Sequence, residues 1–477
     1  MKDTAERIRA LRRPVGIAVM ALAFAVAAGA EEPLQHRLIV KSFIDFGHIV
    51  NGSNPNDPQG NPDITMLPLN RANVLAIQEV TAGRFDVSAG LSGLIWWPYG
   101  GGITDADERV MQVKPMIPVA RVRWQFGSPS GISGALMLGT FNYKYNSDAK
   151  NLGEYLYRSG TYPGFLWTTE GWLLMNRAGN YSHGVMLSLA QFNGMLKHSF
   201  SLFMETQYFP VGDFSPGYDG SFTSKWFELG GGVVLNHYLP LHPSALRPKD
   251  GENTYIRQVT GVDSTGDTAY YIGPNFNSVD INDSSVTVLH RWTTKGVKLM
   301  GRAAVNLGYL LPPEIRGTED LRVFAEAAVL GWENQPLYYE KRSERIPVMF
   351  GINLPTFRML DVLTLQAEYY RSPFNDIDKY NSSSLPIWEA HFAKDGLGTI
   401  LTDSTGKVIP ASVHDDDWKW SVYAKKAINK AVTVYVQAAS DHLRLMSGPR
   451  QVKTSSIPLT SSPSEWYYLI RMEFSLR

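Results

Sequence analysis

The chain has 477 residues, 45 basic and 45 acidic side chains, no cysteine and a mean hydropathy of −0.17, which excludes a strongly basic nucleic-acid binder and a multi-helix membrane protein. Hydrophobic residues make up 44% and charged residues 19%, with 21 Phe, 23 Tyr, 12 Trp and 42 Gly; this excludes a charge-solvated disordered chain and favours strands over long helices, because aromatic rings suit pleated surfaces and glycine weakens helix interiors. The absence of cysteine removes disulfides, thiolate metal sites and cysteine nucleophiles together.

The segment from Met1 to Arg13 carries Lys2, Arg7, Arg9, Arg12 and Arg13, and an uncharged run from Val15 to Ala28 leads into Gly29 and Ala30 before Glu31 and Glu32. A basic end, an apolar run too short for a stop-transfer helix and a small-x-small site predict a signal peptide over 1–30, cleaved after Ala30. Cleavage takes away five basic and two acidic residues, so residues 31–477 carry a net charge of −3. No later stretch reaches 18 consecutive apolar residues. The exported chain is therefore either soluble or enters a membrane as strands.

Alternation of apolar and polar side chains begins soon after the leader. Leu38, Val40, Ile44 and Phe46 alternate with Arg37, Lys41 and Asp45, and Ala120, Val122, Trp124 and Phe126 with Arg121, Arg123 and Gln125. Later runs place Val348, Phe350 and Ile352 against Met349, Gly351 and Asn353, and Val432, Val434, Val436 and Ala438 against Thr433, Tyr435 and Gln437. A period of two with one apolar face is the pattern of a strand between an oily and a wet surface. Tight turns are expected at 82–83, 127–131 and 427–431, and long polar links at 51–72, 97–117, 146–168, 372–416 and 445–464. Short turns at one rim and long loops at the other predict a barrel of about sixteen strands, between about 14 and 18. In the middle, either Gly171–Arg177 is a strand and Val286–Val305 one long strand, or 171–177 is loop and 286–305 a hairpin turning at Thr293–Gly296.

The last segment carries the pattern furthest. Trp466, Tyr468, Ile470, Met472, Phe474 and Leu476 alternate with polar positions that include Arg471, Glu473 and Ser475. A period held for about twelve residues matches a tilted strand crossing a bilayer. Arg471 and Glu473 must then face a polar interior, since an arginine on the lipid face at mid-depth costs roughly 2–4 kcal/mol.

On these residues the chain resembles a bacterial outer-membrane β-barrel protein of porin-like type, whose last strand alternates and ends near an aromatic residue, although Phe474 is followed here by Ser475, Leu476 and Arg477. The stretch from Lys144 to Gly164 looks like a segment of uncharacterised outer-membrane proteins. The resemblance implies an all-β, transmembrane antiparallel up-and-down barrel over 31–477, with short periplasmic turns and long extracellular loops, in the bacterial outer membrane. It also implies outer-membrane lipid as surroundings, recognition of the last strand by the insertion machinery and, by analogy with general porins, a homotrimer.

An interior of about sixteen strands is too wide for side chains to fill, so the expected function is passive diffusion of small hydrophilic solutes, saccharides among them. The polar parity nominates Lys41, Asp45, Arg121, Arg123, Arg302, Glu326, Glu368, Arg471 and Glu473 as pore lining, with mixed signs and weak ion selectivity. In the resembled porins the third long loop folds into the lumen. Here it starts after Tyr145, and Asn151–Arg158 is expected to form a short helix with Asn151 as cap, putting Glu154, Tyr155 and Arg158 at the constriction. Tyr155, Tyr157 and the aromatic residues at 96–99 are candidates for stacking on sugar rings, against a plainer reading as an interface girdle. No G-x-S-x-G or His-Glu-x-x-His motif occurs, so no enzyme, metal or cofactor is expected, and nothing suggests nucleic acid. The competing readings are a plugged structural or surface-binding barrel and a soluble exported β protein.

Overall fold

The computed structural model describes residues 34–52, 67–68, 70–96, 112–128, 130–157, 181–204, 212–239, 254–262, 268–274, 280, 282–291, 295–333, 341–371, 418–440 and 463–476. Sixteen strands make the barrel. They are β1 (Gln35–Asn51), β2 (Arg71–Ala82), β3 (Phe85–Trp96), β4 (Gln112–Gly127), β5 (Ser133–Asn142), β6 (Tyr181–Gln191), β7 (Leu196–Met204), β8 (Phe214–Thr223), β9 (Phe227–Asn236), β10 (Gly296–Asn306), β11 (Arg322–Val329), β12 (Val348–Asn353), β13 (Val362–Tyr369), β14 (Trp418–Ala427), β15 (Val432–Ser440) and β16 (Trp466–Leu476). Each pairs antiparallel with its neighbours in sequence, and β16 returns to β1 from Val40 opposite Leu476 to Asn51 opposite Trp466. This is a closed, up-and-down, sixteen-stranded β-barrel, as the sequence predicts. A two-residue strand, Leu67–Pro68, adds to the upper end of β1.

One rim is built from tight connections. Gly83 takes the first central position of the two-residue loop between β2 and β3 at φ 56°, where a positive value matches the twist of the flanking strands. Only a few residues separate β4 from β5, β6 from β7, β8 from β9 and β14 from β15. The links between β5 and β6, β9 and β10, and β13 and β14 are the longest and leave from the opposite rim. Pro118 lies within β4, where a proline cannot donate to the ladder. The register explains it: Gly90 pairs with Val119 but Ser92 with Met116, a bulge at Ile117–Pro118 that flips the side-chain parity of the strand.

The middle of the chain differs from both sequence readings. Val286–Arg291 is a strand, but it pairs with Thr254–Val262, which also pairs with Thr268–Pro274, in a separate three-stranded sheet within the β9–β10 connection. Its apolar alternation serves that sheet, while β10 begins afresh at Gly296. Residues 171–177, like the signal segment, lie outside the described residues.

Alternation sorts side chains as expected. Leu38, Phe46, Val74, Leu91, Leu138, Leu229, Phe350 and Val436 are exposed on the outer face, while Asp45, Ser88, Glu326, Thr364, Gln437 and Arg471 are buried on the inner one. The closing seam is tied by charge. Asp45 and Arg471, directly opposite across β1 and β16, form a two-point ion pair at 2.7 and 3.0 Å, and the guanidinium lies 3.9 Å from the Phe43 ring centroid. Replacing Arg471 by leucine strands the Asp45 carboxylate and is expected to cost about 3–5 kcal/mol. Urea unfolding followed by heat-modifiable gel mobility measures this, and the double variant Asp45→Leu/Arg471→Leu should recover much of the loss.

Candidate functional site

The connection after β5 does not leave the barrel. Residues 143–157 make hydrogen bonds and apolar contacts with strands from β7 to β13, and a segment this short can touch that many strands only from the concave side. Its apolar part, Ala149, Leu152, Tyr155 and Leu156, packs on Val234, Met300, Ala304, Phe324 and Met349. Glycines on the wall make the room. A Cβ at Gly232 would stand 2.6 Å from Leu156 Cδ2, and one at Gly217 would stand 2.9 Å from Tyr157 Cε1.

An irregular backbone inside a barrel needs partners for its N–H groups, and inward carboxylates and amides supply them. Glu326 accepts from the Tyr145 hydroxyl at 2.6 Å, the Asn146 amide at 2.6 Å and the Tyr155 backbone N–H at 3.0 Å. Gln366 Oε1 accepts from Asn151 N–H at 2.9 Å. Glu368 accepts from the Tyr155 hydroxyl at 2.6 Å. The Tyr145 oxygen also accepts from Leu156 N–H at 3.0 Å, closing the segment on itself.

Two further anchors extend the contact along the barrel axis. Arg302 pairs with Glu228 at 2.6 Å, Glu228 with Arg322 at 2.8 Å, and Arg322 grips Asp148 at 2.6 and 2.8 Å. Lys150 reaches Glu319 at 2.7 Å, in the connection between β10 and β11 at the short-turn rim. The loop thus enters at one rim and touches the other. At its shoulders Tyr143 and Tyr157 both donate to Asp219, at 2.8 and 2.9 Å. Burial, reinforced by the Glu326 carboxylate at Tyr145 and by Asp219 at the other two, pushes all three phenols above their ordinary pKa, so they stay protonated donors.

The nominated residues therefore fall into groups. Glu326 and Glu368 lie beneath the loop and hold it, and Arg302 supports it through Glu228. Asp45 and Arg471 neutralise each other at the seam. Arg121 faces Glu79 and Asp86 at 3.8 and 3.7 Å and Arg123 faces Asp86 at 3.8 Å, all with partly exposed side chains. Lys41 and Glu473 are half-buried on the inner face beside them. The loop's hydrogen bonds and apolar packing described above go to the wall from β7 to β13.

The expected helix over Asn151–Arg158 is absent from the described part, 151–157. Gly153 and Glu154 have φ of 88° and 58°, in the left-handed region that breaks a helix. Glu154 and Tyr155 lie in the inward loop but are buried, at 3% and 0% exposure. The Tyr155 ring offers no face for a sugar, and Tyr157 is packed against Tyr143, Tyr145 and Phe203. Arg158 and the aromatic cluster at 97–99 lie outside the described residues. Sequence reasoning missed Asp148, Asp219, Glu228 and Gln366 as anchors. The last three share the polar parity of their strands, which marks them as inward but not as partners of a loop.

No known protein family matches the chain, and no curated protein matches it in sequence. Among solved structures it is similar to a triple mutant of Rhodopseudomonas blastica porin, at 8% identity and TM-score 0.38 over 93% of this chain and 100% of that one. It is also similar to Salmonella typhi OmpF in complex with daunomycin, at 8% identity and TM-score 0.41 over 92% and 97%, and to outer-membrane expressed OmpT of Vibrio cholerae, at 10% identity and TM-score 0.39 over 94% and 99%. The barrel itself is established by its own hydrogen-bond ladder.

Glu326→Ala removes the acceptor of three loop donors, each costing about 1–3 kcal/mol when left unsatisfied. Amide hydrogen exchange over 145–157 should rise at least about tenfold while strand amides are unchanged. Gly232→Val should act likewise by displacing Leu156, whereas Gly301→Ala, with open space at its Cβ, should not.

Proposed function

We propose that residues 31–477 form an outer-membrane channel for passive diffusion of small hydrophilic solutes, delivered by the signal peptide at 1–30. The observation that carries this reading is the asymmetry of the interior. The loop occupies the wall from β7 to β13, and the opposite wall keeps Lys41, Glu79, Arg121, Arg123 and Glu473 partly exposed. Charges cost little where water reaches them and much where it does not, so a wall of partly exposed charges facing an anchored loop fits an aqueous path between the two. The outward apolar face and the inward polar one fit a barrel that lies in lipid.

Arg121, Arg123, Lys41 and Glu473 are the proposed lining. Their mixed signs favour weak ion selectivity over a strong preference for either charge. Glu326, Glu368 and Arg302, with the loop residues Glu154 and Tyr155, set the width of the path by fixing the loop, and Arg158 beyond them stays a candidate for the constriction. The saccharide version finds no support in Tyr155, whose ring is buried. A trimer, as in general porins, is the proposed assembly.

Purified residues 31–477, refolded in detergent and added to a planar bilayer, should give conductance steps of uniform size. Deleting 150–156 should enlarge the steps, and Arg121→Glu/Arg123→Glu should shift the reversal potential toward cation preference. Silence from a protein with heat-modifiable mobility would replace the channel with a plugged barrel.

A further inference from the structure

We propose that the corner formed by Lys225, Trp226, Tyr309 and Arg316 at the short-turn rim binds the phosphate headgroup of an anionic phospholipid. This rests on the membrane-spanning reading above, which brings that rim to the level of a lipid leaflet. The two connections that make the corner are held together by backbone. Asn306 N–H donates to Trp226 O at 2.7 Å, and the Ser224 hydroxyl accepts from Trp226 and Phe227 N–H at 3.3 and 3.1 Å. The corner is therefore in place before any ligand arrives, which removes an ordering cost from binding.

Its side chains have one chemical character. The Trp226 and Tyr309 rings meet edge to face at 5.2 Å. Lys225 Nζ lies 4.8 Å from the Tyr309 centroid and 5.6 Å from that of Trp226, and the Arg316 guanidinium lies 4.7 Å from Tyr309. Among the described residues, this is the ring that carries two cations. Neither cation is ion-paired there, and Glu314, two residues from Arg316, pairs with neither. The Tyr309 hydroxyl and the Trp226 Nε1–H likewise have no hydrogen-bond partner among the described residues. Two positive charges drawn to one ring, with two more donors beside them and no carboxylate between, form a complement for a multivalent oxyanion.

A comparable pair at the opposite rim is different: Arg342 lies 4.0 Å from the Trp332 ring but spends its Nε–H on Trp332 O at 3.1 Å. What selects a lipid over a free ion is the adjoining surface. Leu310 is 71% exposed beside the corner, and Phe227 and Val305, opposite each other across β9 and β10, are 40% and 44% exposed on the outer wall that runs from it. An amphiphile places its phosphate among the donors and an acyl chain along that wall.

The test uses residues 31–477 in detergent, incubated with phosphatidylglycerol or phosphatidylcholine of matched chains and read by native mass spectrometry. Retention of phosphatidylglycerol should exceed that of phosphatidylcholine by about tenfold. Lys225→Gln/Arg316→Gln should abolish the preference, while Lys426→Gln/Lys430→Gln, near the same rim, should leave it intact, and millimolar inorganic phosphate should not displace the lipid. Equal retention by wild type and the Lys225/Arg316 variant, an equal loss in both double variants, or displacement by phosphate would each overturn the proposal. Tyr309→Leu, which removes the ring that gathers the cations, provides a second variant and should also lower the preference. Conductance is the separate control: steps unchanged in a protein without lipid preference would sink this inference alone, whereas a barrel that never inserts would sink the membrane reading with it.

Discussion

Every barrel strand of this protein depends on closure of the hydrogen-bond ladder. A sheet with one oily face cannot leave an edge of unpaired N–H and C=O groups in an apolar surrounding, so β16 must return to β1. The return runs in continuous register from Val40 to Ile49 against Leu476 to Tyr467, and the Asp45–Arg471 pair lies near its middle. Two ions buried together in that position are stable only because each satisfies the other. A slip of one residue along the seam would point Arg471 outward, so the pair also disfavours wrong register.

Closure creates an interior that side chains alone do not fill, and the loop after β5 lies inside it against the wall from β7 to β13. An irregular segment can stay there because the wall supplies what secondary structure would otherwise supply. Glu326, Gln366 and Glu368 accept from the loop, Arg322 holds Asp148, and glycines at 217 and 232 leave space for rings and methyls. The inner face is thereby divided between a wall whose charges hold the loop and another on which Lys41, Glu79, Arg121, Arg123 and Glu473 still meet solvent beside the buried Asp45–Arg471 pair. Function, on this reading, belongs to the second.

Much of this was legible from residue order. A period of two, tight turns alternating with long links and a terminal amphipathic strand led to the right strand number and to the antiparallel up-and-down barrel. The segment after Tyr145 was expected as a helix, and its described part, 151–157, is not one. Local capping signals at Asn151 and Glu154 carried no information about the carboxylates of β11 and β13, which accept from Tyr155 beside the left-handed residues 153 and 154. Val286–Arg291 misled for a related reason: an alternating strand does not say which sheet it joins.

The amino-acid sequence by itself determined which side chains face in and which face out, since alternation is a property of the single strand and needs no partner. Only the tertiary structure decided what the inward charges do. Whether Arg302, Glu326 or Arg121 meets water or a buried partner depends on which strands the loop reaches. That is set by contacts between residues up to 215 positions apart, over which a one-dimensional pattern carries no distance.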